Sequence, residues 1–341
     1  MATTISGRTF VGRLARGRLG KFIAASALLG AGGLLYAREV ETRRVEVVRL
    51  TLTLPRLAPE FDGYRLVQIG DFHLDDWTRP RRLNRIMEMV NEQRPDLVAI
   101  MGDFASYSAR RLDTERLVGA LRRLSARDGV LAILGNHDYL TDVGLVRRCI
   151  REGGVTALLN EVHTLKRGGA GLHVAGIDDV MEGRSRLDLV LQRLPEDGAA
   201  ILLAHEPDFA DVAAATRRFD LQLSGHSHGG QVRLPLLRRL VLPPFSRRYA
   251  AGLYDVGGMA LYTNRGLGTV HARLRFLCRP EITVLTLRPS GPEGEAHRPP
   301  VVAGKAALLA GSRTLDSART EMGRRWVEWC VMGYPEYGWC G

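Results

Sequence analysis

The sequence predicts an α/β domain of largely buried strands, set between an apolar N-terminal segment and a C-terminal tail. From residue 64, short apolar runs (YRLVQI, DLVAIM, GVLAIL, GLHVAGI, AAILLA and LQLS) recur between polar turns and longer Arg/Glu/Leu-patterned stretches such as RRLNRIMEMVNEQ and RRLDTERLVGALRRLSA. An unbroken apolar run is what a strand covered on both faces shows, and an amphipathic stretch between two runs is the helix that covers it. The chain has 341 residues, 45% hydrophobic and 25% charged. That supplies a substantial core and excludes a disordered chain or a multi-span membrane protein.

At the N-terminus, Arg8, Arg13, Arg16, Arg18 and Lys21 precede the uncharged run FIAASALLGAGGLLYA, which ends before Arg38. Its sixteen residues rise about 24 Å as a helix, short of a hydrocarbon core of about 30 Å, so Lys21 and Arg38 would have to snorkel. A cleaved signal wants small residues at −3 and −1, whereas the best late site, Leu35-Tyr36-Ala37, has Leu at −3. The segment therefore reads as an uncleaved anchor in the inner (cell) membrane ahead of a cleaved signal. Five Lys/Arg lie before it and four (Arg38, Arg43, Arg44, Arg49) after it, which leans toward N-terminus inside and catalytic domain outside rather than on the cytoplasmic face. Residues 1–44 form this basic anchor or signal, 45–288 the main domain and 289–341 a linker and tail.

Beyond the anchor, VEVVRLTLTLPRL alternates with period two, as a half-buried strand does. The late pieces GGQVRLP, GMALYT and EITVLTL have no long helices between them, which predicts an added, partly antiparallel sheet. SGPEGEAHRPPVVAG reads as a linker, and Leu315, Ala318, Met322, Trp326 and Trp329 share one face of a tail helix that would dock on its own domain. Four cysteines without a CxxC exclude a disulfide scaffold, a zinc ribbon and thioredoxin chemistry. Cys149 and Cys278 read as small buried hydrophobes.

The net charge of +11 is local: residues 1–50 carry +6, residues 233–279 carry +8, and the remainder sums to −3. A general nucleic-acid coat is excluded. The second zone, RLPLLRRLVLPPFSRRY, interleaves Leu, Val, Pro and Phe with arginines that include Arg238, Arg239, Arg247 and Arg248. That mixture suits an anionic substrate with an apolar part, or an anionic membrane surface, better than duplex nucleic acid, and makes these four arginines candidate substrate-binding residues.

Five apolar runs end in a possible metal ligand. LVQIG leads to Asp71 and His73, LVAIMG to Asp103, VLAILG to Asn136 and His137, AILLA to His205, and LQLSG to His226 and His228. Ligands of open α/β sheets gather beyond the carboxyl ends of the strands, so residues far apart in sequence can meet on one rim. Imidazoles and carboxylates bind first-row divalent ions, a single Asp can bridge two, and an Asn oxygen completes a mixed N/O shell. Two such ions about 3.5 to 4 Å apart can activate a water and clamp a phosphoryl oxygen without a Ser or Cys nucleophile. His163, His173, His271 and His297 follow no such pattern and are set aside.

GDFH, GD, GNHD, a lone His and GHSH, in that order, resemble the calcineurin-like metallophosphoesterase superfamily. The resemblance covers roughly residues 45–288. GHSHGGQVRLP with YTNRGLGTV and FLCRPEITVLTLR is similar to its bacterial membrane-anchored branch, which includes a UDP-diacylglucosamine pyrophosphatase and cell-envelope phosphoesterases. The resemblance implies a four-layer α/β/β/α sandwich with two divalent ions, Mn, Zn, Fe or Mg. It places Asp71, His73 and His228 on one ion, Asn136, His205 and His226 on the other, and Asp103 between them. His137 would be the catalytic residue, as transition-state stabiliser or leaving-group acid, with Asp138 orienting it. Relatives usually carry a second acid after GD, where GDFASY has none, and a Pro-containing turn after RGLGTV, where this chain has HARLR. The expected function is a membrane-tethered, dimetal phosphoester or pyrophosphate hydrolase of a lipid-linked or envelope substrate such as UDP-diacylglucosamine, with no nucleic-acid partner. A nuclease or nucleotide phosphodiesterase, and a catalytically silent binding protein on the same fold, are the alternatives.

Overall fold

The computed structural model describes residues 7–75, 80–106, 112–233 and 242–291. It opens on helix α1 (Gly7–Leu35), which runs on through a π turn (Tyr36–Val40) and a 3-10 turn (Glu41–Arg43). Among the described residues this is the one helix long and apolar enough to cross a membrane, over the 23 residues Lys21–Arg43. The stretch is about 35 Å long because the coil runs on past Arg38, but its last turns carry Arg38, Glu39, Glu41 and Arg43 and belong to the domain side. Phe22, Ile23, Leu28, Leu29, Leu34 and Leu35 are all exposed.

The helix end is anchored differently. Ala37, Glu41 and Thr42 are buried, and the Ala37 carbonyl accepts the Arg275 N–H at 3.1 Å. Glu41 Oε1 accepts the Cys278 N–H at 2.6 Å, and Arg82 Nη2 donates to the Thr42 carbonyl at 2.6 Å.

The domain follows as β1 (Glu46–Leu54), β2 (Tyr64–Ile69), α2 (Pro80–Asn91), β3 (Leu97–Ile100), α3 (Thr114–Leu121), β4 (Val130–Ala132), α4 (Asn136–Thr141), α5 (Val143–Glu152) and β5 (Thr156–Ala157). Then come β6 (Glu161–Arg167), β7 (Ala170–Gly176), α6 (Leu187–Arg193), β8 (Ala199–Leu203), α7 (Ala210–Ala215), β9 (Leu221–Ser224), β10 (Gly252–Val256), β11 (Met259–Thr263) and β12 (Glu281–Pro289). They form two six-stranded sheets, ordered β1-β12-β2-β3-β4-β5 and β10-β11-β9-β8-β7-β6.

The period-two side-chain alternation explains why the strand sequences are unbroken apolar runs. In β2, Leu66 joins the core between the sheets while Val67 and Ile69 face the outer core; in β8, Ile201 and Leu203 point inward and Leu202 outward. The outer core of the first sheet is closed by Leu83 and Met87 of α2, Leu117 and Leu121 of α3, and Ile150 of α5. Val190 of α6 and Ala213 of α7 close that of the second. Each buried Leu, Ile or Val contributes about 1.5–3 kcal/mol, so both sheet faces drive assembly. The result is helix, sheet, sheet, helix, in four layers.

The late strands do not form an added sheet. The hairpin β10–β11 extends the second sheet through parallel pairing of β11 with β9, and β12 inserts into the first sheet, parallel to β1 and antiparallel to β2. GGQVRLP is not a strand where it is described. His228–Gly230 form a 3-10 turn and only Val232 pairs, in an isolated bridge with Phe276. Left-handed φ values at His228, Gly229, Gly230 and Gln231 break the extended backbone there. Strand β6 escapes the apolar-run criterion because its face is half exposed; the signal was the Gly168-Gly169 turn, both at positive φ, that folds it onto β7. The linker beyond residue 291 and the tail helix lie outside the described residues.

Candidate metal centre

The five ligand-bearing loops all leave the carboxyl ends of parallel strands. Asp71 and His73 follow β2, Asp103 follows β3, and Asn136 and His137 open α4 after β4. His205 follows β8, and His226 and His228 follow β9. The two sheets present these ends at one rim, so the eight residues singled out from the sequence converge. The loops are zipped together by backbone bonds: Asp71 N–H to Gly102 O at 2.9 Å, His73 N–H to Asp103 O at 3.0 Å, and Gly225 N–H to His205 O at 3.0 Å. Asp71 Oδ1 then accepts the His226 N–H at 2.9 Å and joins one sheet to the other.

Asp71, His73, Asp103, His226 and His228 all have φ between 44° and 65°. A non-glycine residue there costs on the order of 1–2 kcal/mol, and such residues persist only where the surroundings over-determine them. The strain aims five side chains into one volume instead of along the strands.

Asp71, His73, Asp103 and His228 offer donor atoms all within 4.8 Å of one another, and Asp103, His205 and His226 form a second such group. Asp103 belongs to both. Its Oδ2 lies 3.2 Å from His73 Nε2 and 3.3 Å from His205 Nε2, while Oδ1 accepts the His137 N–H at 2.9 Å. His73 Nε2 and His228 Nε2 are 2.9 Å apart, two ring nitrogens converging on one point. Asp71 Oδ2 and Asn136 Oδ1 are buried without a hydrogen-bond partner. Buried lone pairs with no proton to accept are costly. Cations would satisfy them, so the residues fit a two-ion centre that shares one carboxylate.

The surrounding bonds set which ring nitrogen faces inward. His205 Nδ1 lies 2.5 Å from the Met101 carbonyl and His226 Nε2 3.0 Å from the Pro244 carbonyl. A nitrogen bonded to a carbonyl carries the proton, so the other presents its lone pair, as metal-ligating histidines require. Burial pushes the His226 imidazolium down to about 4, and burial with the neighbouring His73 and Arg275 holds His228 well below its usual value. Burial raises the Asp71 carboxyl to about 6. Burial also opposes ionisation of Asp103 and of His205, yet their mutual attraction wins. It holds Asp103 well below the usual carboxylate range and His205 well above the usual imidazole range, so without a cation a proton sits on His205 Nε2, and a bound ion would take that proton's place.

Asp138 does something other than orient His137. Its carboxylate accepts the backbone N–H groups of Gly135, Asp103, Phe104 and Ala105 at 2.8–3.1 Å, so it builds the loop that presents Asp103. A Cβ on Gly135 would overlap Asp103 Oδ1 and come within 2.6 Å of the His205 ring. This is why glycine precedes Asn136. The His137 ring stands edge-on to His73, centroids 4.6 Å apart.

A cavity of about 650 Å³ opens over the centre. His137 and His226 are on its polar side, and Leu140, Met181, Val232, Leu242, Val270 and Leu274 are among its apolar walls. His271, set aside from the sequence for want of a motif, lines the same cavity; nothing in its local pattern marks it, because a loop distant from every ligand motif brings it there. Arg247 and Arg248 are exposed and do not line the cavity. Their backbone N–H groups bind Asp208, and the Arg248 guanidinium pairs with Asp211. Arg238 and Arg239 lie outside the described residues.

The family model described as calcineurin-like phosphoesterase matches residues 64–230, which contain all eight of these residues. The chain is 37% identical to the uncharacterized metallophosphoesterase YkuE of Bacillus subtilis over 268 residues, 78% of this chain and 93% of the relative. The chain belongs to the calcineurin-like phosphoesterase family. It is also 28% identical to the phosphodiesterase YaeI of Escherichia coli, covering 78% of this chain and 98% of the relative. A transmembrane protein with metallophosphoesterase domain from Danio rerio is 32% identical, over 77% of this chain and 61% of the relative. Calcineurin-like phosphoesterases use two divalent metal ions, and this one carries an Asp/His cluster able to hold them. It is a metal-dependent phosphoesterase, a hydrolase.

Proposed function

We propose that this phosphoesterase is a membrane-tethered hydrolase of phosphodiester or pyrophosphate bonds in lipid-linked or envelope substrates, the chemical class of UDP-diacylglucosamine. Asp71, His73 and His228 would hold one ion and Asn136, His205 and His226 the other, with the Asp103 carboxylate shared by both. Bound there, the ions neutralise phosphoryl charge and activate water. The chain does the rest. Asp138 fixes the backbone that carries Asp103, His205 and His226 are held in their ligating tautomers by carbonyls, and His137 meets the substrate from the cavity side as transition-state stabiliser or leaving-group acid.

The observation that carries the substrate class is the two-sided cavity. Its floor is the ligand cluster and its walls include Leu140, Met181, Val270 and Leu274, two of which, Leu140 and Met181, keep large apolar area exposed. The wall containing Val270 and Leu274 adjoins the docked end of α1, where Arg275 meets Ala37. A lipid-borne substrate would meet that wall beside the bilayer.

The test compares the metal-loaded full chain on a water-soluble aryl phosphodiester, an aryl phosphomonoester and a UDP-diacyl-sugar lipid in mixed micelles. The lipid-linked diphosphate is expected to show the highest kcat/KM, and Leu140→Ser with Met181→Ser to narrow its lead over the aryl diester by roughly tenfold, the worth of one buried apolar side chain. Preference for nucleotides or oligonucleotides would replace this reading with the nuclease one.

We infer from the one-residue Lys/Arg excess ahead of the helix that the domain faces outward. Cys330 and Cys340 are expected to react with a membrane-impermeant thiol reagent in intact cells treated with reductant. Protection until lysis would put the domain on the cytoplasmic face.

A further inference from the structure

We propose that Arg275 is a positioning residue for one half of the metal centre, the half built on Asp71 and His228, and that it ties this half to the end of the N-terminal helix. The proposal rests on the two-ion reading above.

Arg275 is completely buried and, among the described residues, is the largest side chain to be so. Among the described residues no carboxylate lies within ion-pair distance of it. Its guanidinium instead gathers carbonyls: Nε donates to Gly268 at 3.0 Å, Nη1 to Cys278 at 3.2 Å, and Nη2 to Arg265, Gly266 and Gly268 at 2.9, 3.1 and 2.6 Å. A buried cation without a direct ion pair is expensive even where, as here, Asp71 and Glu281 are near enough to favour its charge, so its retention needs a reason that a packed hydrophobe would not serve.

Both ends of this carbonyl cage reach the same two ligands. Gly268 N–H donates to the Asp71 carbonyl at 2.7 Å and Leu267 N–H to the Gly70 carbonyl at 3.1 Å. Gly266, at φ +68, lies so close that a Cβ would come within 2.6 Å of Asp71 Cβ. On the other side, Arg275 Nη2 is 3.4 Å from His228 Nδ1, and the Cys278 thiol donates to the His228 carbonyl at 3.1 Å. The His228 Nδ1 contact is one of packing, since a ring that ligates through Nε2 carries its proton on Nδ1, and Arg275 makes no comparable contact with Asn136, His205 or His226. The same residue's N–H binds the Ala37 carbonyl at the helix end, and Glu41 binds Cys278. Arg275 thus crosslinks the loop behind Asp71, the loop behind His228 and the final turns of the N-terminal helix. The planar fork matters as much as the charge, because a lysine ammonium has only three donors and no fixed plane.

The experiment is a Mn²⁺ titration of the metal-free full chain, with bound ions counted by elemental analysis and free Mn²⁺ by electron paramagnetic resonance. Wild type is expected to bind two ions. Arg275→Lys is expected to keep one ion near its native affinity and to bind the second roughly 10- to 100-fold more weakly, the usual effect of removing an outer-shell partner. A purely structural role would lower the unfolding temperature without separating the two affinities. Two ions bound with native affinities, or both weakened equally, would overturn the proposal. Should Arg275→Lys fail to fold, Glu41→Ala loosens Cys278 from a greater distance. It is expected to weaken the same single ion, and an unchanged or uniform titration there counts against the proposal. A wild-type chain that binds fewer than two ions would instead defeat the two-ion reading itself.

Discussion

Asp103→Asn is expected to lower turnover by about 10³-fold or more, at least about 4 kcal/mol of barrier, with little change in unfolding temperature of the metal-free protein. Asp103 is the one side chain common to both donor groups, and its ionised form is what His205 and His73 favour in a site where burial opposes it. Asn keeps the shape, and its oxygen can still accept the His137 N–H that Asp103 Oδ1 takes at 2.9 Å. It removes the charge that lets one carboxylate serve two cations. The measurement is aryl phosphodiester hydrolysis by metal-loaded wild type and variant, beside their metal content. Near-normal turnover in a fully loaded variant would refute the shared-carboxylate assignment.

His137→Ala is expected to lower turnover by roughly 10² to 10⁴, the range for one acid–base group, while both ions stay bound. The ring faces the cavity and packs edge-on against His73, but it belongs to neither donor group. Its backbone N–H, which supports Asp103, survives the substitution. Elemental analysis of the variant decides the point, since loss of one ion would make His137 a ligand.

His137 and Asp138 lie side by side in GNHD, and only part of their arrangement is legible in the sequence. The eight candidate residues could be found because each follows an apolar run, and such runs are what two-faced burial demands of β2, β3, β4, β8 and β9. Asp138 reads from the sequence as a partner of His137, yet its carboxylate is taken by three backbone N–H groups of the loop after β3 and by that of Gly135 in its own loop. Sequence adjacency does not reveal a hydrogen bond to backbone thirty-odd residues away.

The same limit accounts for the late strands. The alternation in EITVLTL marks a strand, but the choice of β1 and β2 as its neighbours is made by long-range packing. His271 and Arg275 share one short segment, HARLR, which stands where relatives carry a Pro-containing turn. One of them lines the cavity and the other is fully buried. Charge predicts exposure for an arginine in general, and here a cage of carbonyls overrides it.

The account turns on two ions sharing Asp103. Anomalous diffraction at the manganese edge from crystals of the Mn²⁺-loaded full chain tests it most directly. Two peaks about 3.5–4 Å apart are expected, with the Asp103 carboxylate between them, one peak beside Asp71, His73 and His228 and the other beside Asn136, His205 and His226. A single peak, or two peaks without Asp103 between them, would contradict it.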